Sequence, residues 1–575
     1  MPWYDEAVFY HIYPLGLLGA PRENPYGEPE HRLPALVPWL DHLRDLGVTA
    51  LYIGPLFQSV GHGYETSDYR LVDARLGTND DLRDLVAAAH DRGIRVVLDG
   101  VFNHVGRDFF AFRDLLERRE ASGYRDWFCN VNFCGNNSYG DGFSYDTWGG
   151  YDLLVKLNQQ NPAVRDYLLD TVRFWVDEFD IDGIRLDAAD VLDFDFMHAL
   201  RALANVVKPD FWLMGEVIHG EYSRWVNGDT LHAVTNYSLH KALYSGHNDH
   251  NYFEIAHTVK RNYDMGGDRV AGLRLYNFVD NHDVDRIWTK LDDKCHFEPV
   301  HVLMYTLPGT PSIYYGSEFA IEGKRTNYAD DMLRPALDLA DFADSPFAEL
   351  LAQLGRVRRE TPALSYGEYR ELALTNRQYA FARILEDGGR AIVSVNNDEG
   401  PATVCVDALG CPAYVGALTG AVVRAHDGVV DLPMEGCSGE IWRPAEEDGT
   451  AAEQSDDDAA EAAAADRELL DRARDAVAKA AEEAEAEAAT ETAAADAERT
   501  AVAEQTADDA GEAPNLSTDF LLGREKPFED MTVRELQLSV LAQLAMRGPV
   551  TDQMRRDVAE NTYHDSLVNW AKSFN

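Results

Sequence analysis

Two carboxylates close two apolar runs. Asp187 ends Gly183-Ile184-Arg185-Leu186-Asp187, and Glu216 ends Phe211-Trp212-Leu213-Met214-Gly215-Glu216. A third acid, Asp283, follows in Val279-Asp280-Asn281-His282-Asp283, and a fourth, Asp99, ends Ile94-Arg95-Val96-Val97-Leu98-Asp99. Two close carboxylates in different protonation states can cut a glycosidic bond, one donating a proton while the other attacks carbon. In a strand, residues i and i+2 share a face, so Arg185 would stand beside Asp187 and hold it ionised, as a nucleophile requires. Glu216 follows Trp212, Leu213 and Met214, an apolar setting that raises a carboxyl pKa and suits a general acid. Asp283 would stabilise positive charge on the sugar, and His104 and His282 can donate hydrogen bonds to its hydroxyls. Each signal also has an ordinary structural reading: Arg-x-Asp as a surface ion pair, the Glu at a helix N-terminus, His282 as a core histidine. The joint pattern points to catalysis.

Spacing tells which elements must hold these groups. Asp187 and Glu216 are 29 residues apart, and Asp283 follows Glu216 by 67. A (β/α)8 barrel of about 250 residues allots roughly 31 to each strand and helix, so the acids read as the ends of strands 4, 5 and 7. The 88 residues between Asp99 and Asp187 exceed one unit. An inserted lobe after strand 3, at about 105–157, accounts for the excess. It is rich in Asn, Gly and aromatics, and its Trp148 reads either as a sugar platform or as a packing aromatic within the lobe.

Strand-like runs alternate with helical patterns from residue 7 to about 360, which predicts a parallel sheet with ligands at the carboxyl ends of its strands. The expected fold is therefore α/β, a (β/α)8 barrel with an inserted lobe over residues 1–362. Short alternating runs such as Ala391-Ile392-Val393-Ser394-Val395 then predict an antiparallel β-sandwich domain over 363–444. Residues 445–515 are Ala/Glu/Asp-rich, with 23 acids against 5 bases between 445 and 513. They read as an acidic linker, disordered or transiently helical, without a core of its own. Apolar periodicity returns over 516–575, as in Val533, Leu536, Val540 and Leu544, broken at Gly548-Pro549. It predicts a small helical segment able to dock an unknown partner.

The formal net charge of −47 repels nucleic acid and anionic membrane. The first residues lack the basic and apolar regions of a signal peptide, and no run approaches the roughly 18 apolar residues of a membrane helix. The expectation is a cytoplasmic protein. Six cysteines in 575 residues do not make a disulfide framework, and Cys129 and Cys134 lack partners at zinc-site spacing.

The segments Asp99-Gly100-Val101-Phe102-Asn103-His104, Gly183–Asp187, Gly215-Glu216-Val217-Ile218-His219 and Val279–Asp283 together resemble the four signatures of the α-amylase family of glycoside hydrolases. The resemblance covers about residues 7–443. It implies Asp187 as nucleophile, Glu216 as acid/base and Asp283 as stabiliser. It also implies Arg185, His104, His282, His219 and the stacking Tyr64 as substrate contacts, with Asp99 in support. The stretches Phe179–Gly183, Lys208-Pro209-Asp210 and Trp225-Val226-Asn227-Gly228-Asp229 resemble the neopullulanase, cyclomaltodextrinase and maltogenic amylase group. That group acts on α-1,4-linked maltooligosaccharides and related glucans and usually carries an extra N-terminal β domain, whereas here the barrel pattern starts at once. Ile218 replaces the group's Trp. No cofactor is required. Asn103 matches a calcium ligand of the family, although Asp190 and Val191 stand where secreted α-amylases have Lys-His. The expected partner is an α-glucan oligosaccharide, with no nucleic acid and no membrane. The same triad would also serve a transglycosylase or an exo-acting α-glucosidase, and a non-catalytic amylase-like binding protein is the remote alternative.

Overall fold

The computed structural model describes residues 1–266, 272–326, 330–445 and 464–480, and, towards the C-terminus, 526–528, 531–547 and positions 558, 567, 571 and 572. The chain divides into two compact units, Met1–Glu483 and Ala484–Asn575.

In the first unit eight parallel strands form one sheet: β1 (Phe9–Ile12), β2 (Ala50–Ile53), β3 (Arg95–Gly100), β4 (Gly183–Leu186), β5 (Trp212–Gly215), β6 (Ala233–Val234), β7 (Tyr276–Phe278) and β8 (Thr310–Tyr314). Neighbours run β6-β5-β4-β3-β2-β1-β8-β7, and a parallel bridge from Thr235 to Tyr276 joins the two ends into a barrel. Every residue of β1, β2, β4, β5 and β8 is buried, as expected of strands covered on both faces.

Asp187 and Glu216 follow the last residues of β4 and β5, and Asp283 lies five residues beyond β7, in the register that the spacings predict. The helices form for local reasons. In the helix Pro162–Phe179 before β4, Asn161 caps the first turn by accepting from Ala163 N–H, proline starts it, and Asp180 ends it in the left-handed region at φ 56°. Such a cap is worth about 1 kcal/mol. Its inner stripe includes Leu168, Val172 and Trp175, and the Trp175 ring stacks on Phe57 at 4.5 Å.

The lobe after β3 holds a three-stranded sheet of His104–Val105, Thr147–Trp148 and Tyr151–Lys156. Beyond the barrel, an antiparallel sheet runs in the order β9 (Glu368–Leu374), β10 (Gln378–Ile384), β11 (Arg390–Asn396), β16 (Ser438–Pro444), β13 (Ala413–Gly416), β14 (Val422–Arg424). A separate pair joins β12 (Ala402–Asp407) to β15 (Val429–Met434). Inward residues such as Ile392, Leu432 and Trp442 form a core between them.

One expectation needs correction, and one cross-link adds to what the sequence offered. Within the stretch read as a coreless linker, residues 464–480 are helical and bury Leu470, Ala473 and Val477 in the same core as the barrel. Arg474 pairs with Glu298, Asp466 with Arg356, and Arg472 with Glu349. Those three apolar residues fall at i, i+3 and i+7, one helical face. The rest of that stretch, 446–463 and 481–515, lies outside the described residues. Cys295 and Cys437, 142 residues apart, are joined as a disulfide; tertiary folding alone brings them together, and spacing carries no sign of it.

In the second unit, helix Val533–Arg547 contributes Leu536 and Val540 to a small core with Phe528, Met531, Val558, Leu567 and Ala571. The remainder of the helical segment expected over 516–575, with its break at Gly548-Pro549, lies outside the described residues. No helix among the described residues is long and apolar enough to cross a membrane.

Candidate active site

The buried Arg185 guanidinium, on β4, organises the acids at the carboxyl ends of the barrel strands. Its Nη1 donates to both oxygens of Asp99 at 2.9 Å and to Asp187 Oδ1 at 3.0 Å. Its Nη2 lies 2.9 Å from Glu216 Oε2. Parallel pairing explains this reach, because Arg185 is in register with Asp99 on β3 and with Met214 on β5, two residues before Glu216. Tyr52 also donates to Asp99, at 2.8 Å.

Backbone geometry fixes Glu216 more firmly. Ala188 has φ 44°, a left-handed conformation that costs a non-glycine residue about 1–2 kcal/mol. In that conformation its N–H donates to Glu216 Oε2 at 3.1 Å. Gly215 permits the close approach behind, since a Cβ there would sit 2.5 Å from Leu231 and 2.8 Å from Ala189. Oε2 therefore takes two donors, while Oε1 lies 3.4 Å from the Tyr237 hydroxyl.

These contacts correct the charge argument drawn from sequence. Arg185 serves Glu216 as well as Asp187, so the acid does not rest among apolar groups alone; cross-strand register was invisible from local sequence. Burial pushes the Asp187 carboxyl well above the usual carboxylate range; Arg185 opposes this, and the Glu216, Asp99 and Asp283 charges reinforce it. Asp99, Asp187 and Glu216 thus share one guanidinium, and burial with this crowding of negative charge makes Asp187 hold its proton more readily than it would in water.

Asp283 is held differently. His282 Nε2 lies 3.0 Å from its Oδ2, Arg334 Nη2 donates to its Oδ1 at 3.1 Å, and its own N–H donates to Asn281 Oδ1. Burial raises its carboxyl, but His282, Arg334 and Arg185 together outweigh that and hold it well below the usual range. It is the acid kept ionised.

Tyr64 packs over His282, with ring centroids 5.7 Å apart and its hydroxyl 2.5 Å from His282 Nε2. His104 is buried, and burial lowers its pKa to about 4. The Asn103 side-chain amide lies 3.2 Å from His104 Nδ1. With Nδ1 accepting from that amide, Nε2 carries the proton, and Nε2 has no protein partner. Trp148, 41% exposed, sits with its ring 5.8 Å from that of His104. The side chain is thus partly exposed on the lobe while touching His104.

The expected residues Asp99, Asp187, Glu216, Asp283, Arg185, Tyr64 and His282 are joined by direct contacts, and His104 and Trp148 form a neighbouring pair. His219 is exposed with Ile218 beyond Glu216 and is not joined to that network. Asn103 orients His104, and its carbonyl accepts from Leu157 N–H. Among the described residues, the group of three or more His, Cys, Asp or Glu side chains with metal-site spacing lies elsewhere, at Asp293, Cys295, His296 and Cys437.

Residues 33–345 match the family model of the alpha amylase catalytic domain. A cyclomaltodextrinase of Bacillus sp is 34% identical over 425 residues, covering 69% of this chain and 74% of that protein. The chain belongs to the α-amylase family of glycoside hydrolases. Neopullulanase 2 of Thermoactinomyces vulgaris is 32% identical, covering 76% of this chain and 78% of that one. A solved cyclomaltodextrinase superposes with TM-score 0.68 at 30% identity, covering 77% of this chain and 79% of its own.

The α-amylase-family site also contains residues to which the sequence reading gave no role. Arg334 contacts Asp283 and Asp330 and lies over the Tyr13 ring at 4.6 Å. Tyr237 lies between Glu216 and Asn281, receiving a hydrogen bond from the latter. Tyr52 holds Asp99, and His11 stacks on Tyr52 at 4.2 Å. Tyr13 and Tyr237 sit just past strand runs, the signal that picked out the acids. Arg334 lies 51 residues beyond Asp283 in irregular chain, with no local pattern to mark it.

Proposed function

We propose that the protein is a retaining hydrolase of α-1,4-glucosidic bonds in maltooligosaccharides and related α-glucans. The observation that carries this reading is the Arg185 guanidinium shared by Asp187 and Glu216. Carboxylates tied to one guanidinium fit the retaining separation of about 5–5.5 Å better than the wider inverting one. The substrate class rests on the similarity to a cyclomaltodextrinase and a neopullulanase.

Asp187 keeps Oδ1 on Arg185, and Oδ2 attacks the anomeric carbon. In the reactive protonation state Glu216 carries its proton on Oε1, the oxygen not taken by Arg185 and Ala188, and that proton passes to the departing glycosidic oxygen. The Asp187 glycosyl ester then forms, and the Glu216 carboxylate takes a proton from water, whose oxygen displaces Asp187. Ionised Asp283 stabilises the oxocarbenium-like charge at both steps. His104 Nε2 donates to a sugar hydroxyl while Tyr64 stacks under the ring.

Incubation with 5-fluoro-α-D-glucosyl fluoride tests the assignment. The expected result is a stable mass increase on the peptide containing Asp187, with maltotriose and maltohexaose hydrolysed to products of retained anomeric configuration. Label on another residue, or inverted products, would overturn it. Sugar-transfer products at high donor concentration would instead favour the transglycosylase reading.

A further inference from the structure

The strongest unassigned chemistry lies at the seam between the barrel and the C-terminal β domain. Asp293, Cys295 and His296 precede the helix Phe297–Thr306, while Cys437 sits in the turn before β16. One ligand atom from each of the four lies within 4.8 Å of the others. The disulfide accounts for the two sulfurs and leaves the His296 ring unexplained. His296 is 1% exposed. Its Nε2 lies 3.2 Å from the Asn397 carbonyl oxygen, which can only accept, so Nε2 carries the proton. Nδ1 then offers a buried lone pair with no partner. Imidazole oriented by an N–H to a backbone carbonyl is the usual state of a metal-bound histidine. Asp293 is anchored as well, accepting from Cys295 N–H at 2.9 Å.

We infer that, with the disulfide reduced, Cys295, Cys437, His296 and Asp293 form a structural site for a zinc-type divalent cation. Opening the disulfide consumes two electrons and two protons from a thiol reductant, which leaves as its own disulfide. Metal binding then displaces the two cysteine protons. Two thiolates, an imidazole and a carboxylate make a closed tetrahedral zinc set, whose ligand atoms stand about 3.3–3.8 Å apart. The existing cluster needs a small contraction and a parting of the sulfurs to meet that geometry. The set is too soft for calcium or magnesium, which take oxygen ligands.

The position suggests what the metal would do. Glu298, three residues after Cys295, accepts from Gly439 N–H on β16 at 2.9 Å and from Arg474 in the 464–480 helix. Asn397, which orients His296, follows β11 and donates to the Gly246 carbonyl in the barrel. A metal here would fasten the β domain to the barrel where these contacts converge.

The test uses the full chain, purified under a thiol reductant without chelator and dialysed against micromolar zinc. Metal analysis is expected to find roughly one zinc per chain, as a single closed site requires. Cobalt(II) in its place should give a thiolate-to-metal charge-transfer band. C437S and H296A should each lose the metal and the band, while still hydrolysing maltohexaose. If the reduced wild-type chain keeps no zinc, or if C437S keeps as much as wild type, the inference falls. The wild-type measurement decides the matter even where a variant fails to fold.

Discussion

At the scale of single residues, the site is short of positive charge. Asp99, Asp187 and Glu216 share Arg185, and the raised Asp187 carboxyl follows from that shortage and from burial. A carboxyl whose folded pKa lies above its unfolded value destabilises the fold at neutral pH, because the unfolded chain releases the proton more readily. The penalty is absent below the unfolded pKa of about 4, where Asp187 is protonated in both states. Asp187→Asn should therefore abolish hydrolysis yet raise the thermal midpoint at pH 7. The advantage should vanish near pH 3.5, as calorimetry at the two pH values would read. Arg185→Lys keeps the charge but removes the fork. An ammonium cannot span three carboxylates as the planar fork does. A loss of about ten- to hundred-fold in kcat/KM is expected, the equivalent of one charged hydrogen bond at 1.5–3 kcal/mol. Because Arg185 lowers the Asp187 pKa, the acid limb of the pH–rate profile should move to higher pH. An unmoved limb would show that Arg185 does not govern the nucleophile's ionisation.

At the scale of elements, the barrel was legible because strand-end acids recur at intervals of one and two units, and that periodicity survives in a single sequence. The placing of Asp187, Glu216 and Asp283 after β4, β5 and β7 needed nothing else. The electrostatic partners were hidden, since the Arg185–Glu216 pair depends on β4–β5 register, and Arg334 reaches Asp283 from irregular chain. The helix at 464–480 was overlooked for another reason: its apolar stripe is three residues in an Ala/Glu-rich run, and it becomes stable by docking rather than by propensity. The lobe carries its own prediction. Trp148 is exposed beside His104, on a short strand paired within the lobe. If it is a sugar platform, Trp148→Ala removes binding shared by ground and transition states. KM for maltohexaose should then rise severalfold with kcat nearly unchanged. A fall in kcat at constant KM would instead tie Trp148 to the chemistry through His104.

At the scale of the whole molecule, the two compact units imply a division of labour that truncation can expose. Every residue named in the site lies at or before Arg334, and the helical residues 464–480 that pack into the barrel's core lie inside the first unit. A chain ending at Glu483 should keep kcat, KM and thermal midpoint. A chain ending at Ala445 also loses the 464–480 helix. That uncovers the surface under Leu470, whose burial is worth about 1.5–3 kcal/mol. It also strips Glu298, whose side chain is 4% exposed in the full chain, of its Arg474 partner, at a further cost of about 1–3 kcal/mol. Ending at Ala445 should therefore lower the thermal midpoint by several degrees and hasten thermal inactivation, with kcat at low temperature unaffected. The single variant Arg474→Ala in the full chain should reproduce part of that loss. Equal midpoints for the chains ending at 445 and 483 would mean that the helix adds nothing to stability in solution. A drop in kcat on ending at Glu483 would instead give the second unit a part in turnover, a part that the barrel's own residues do not require.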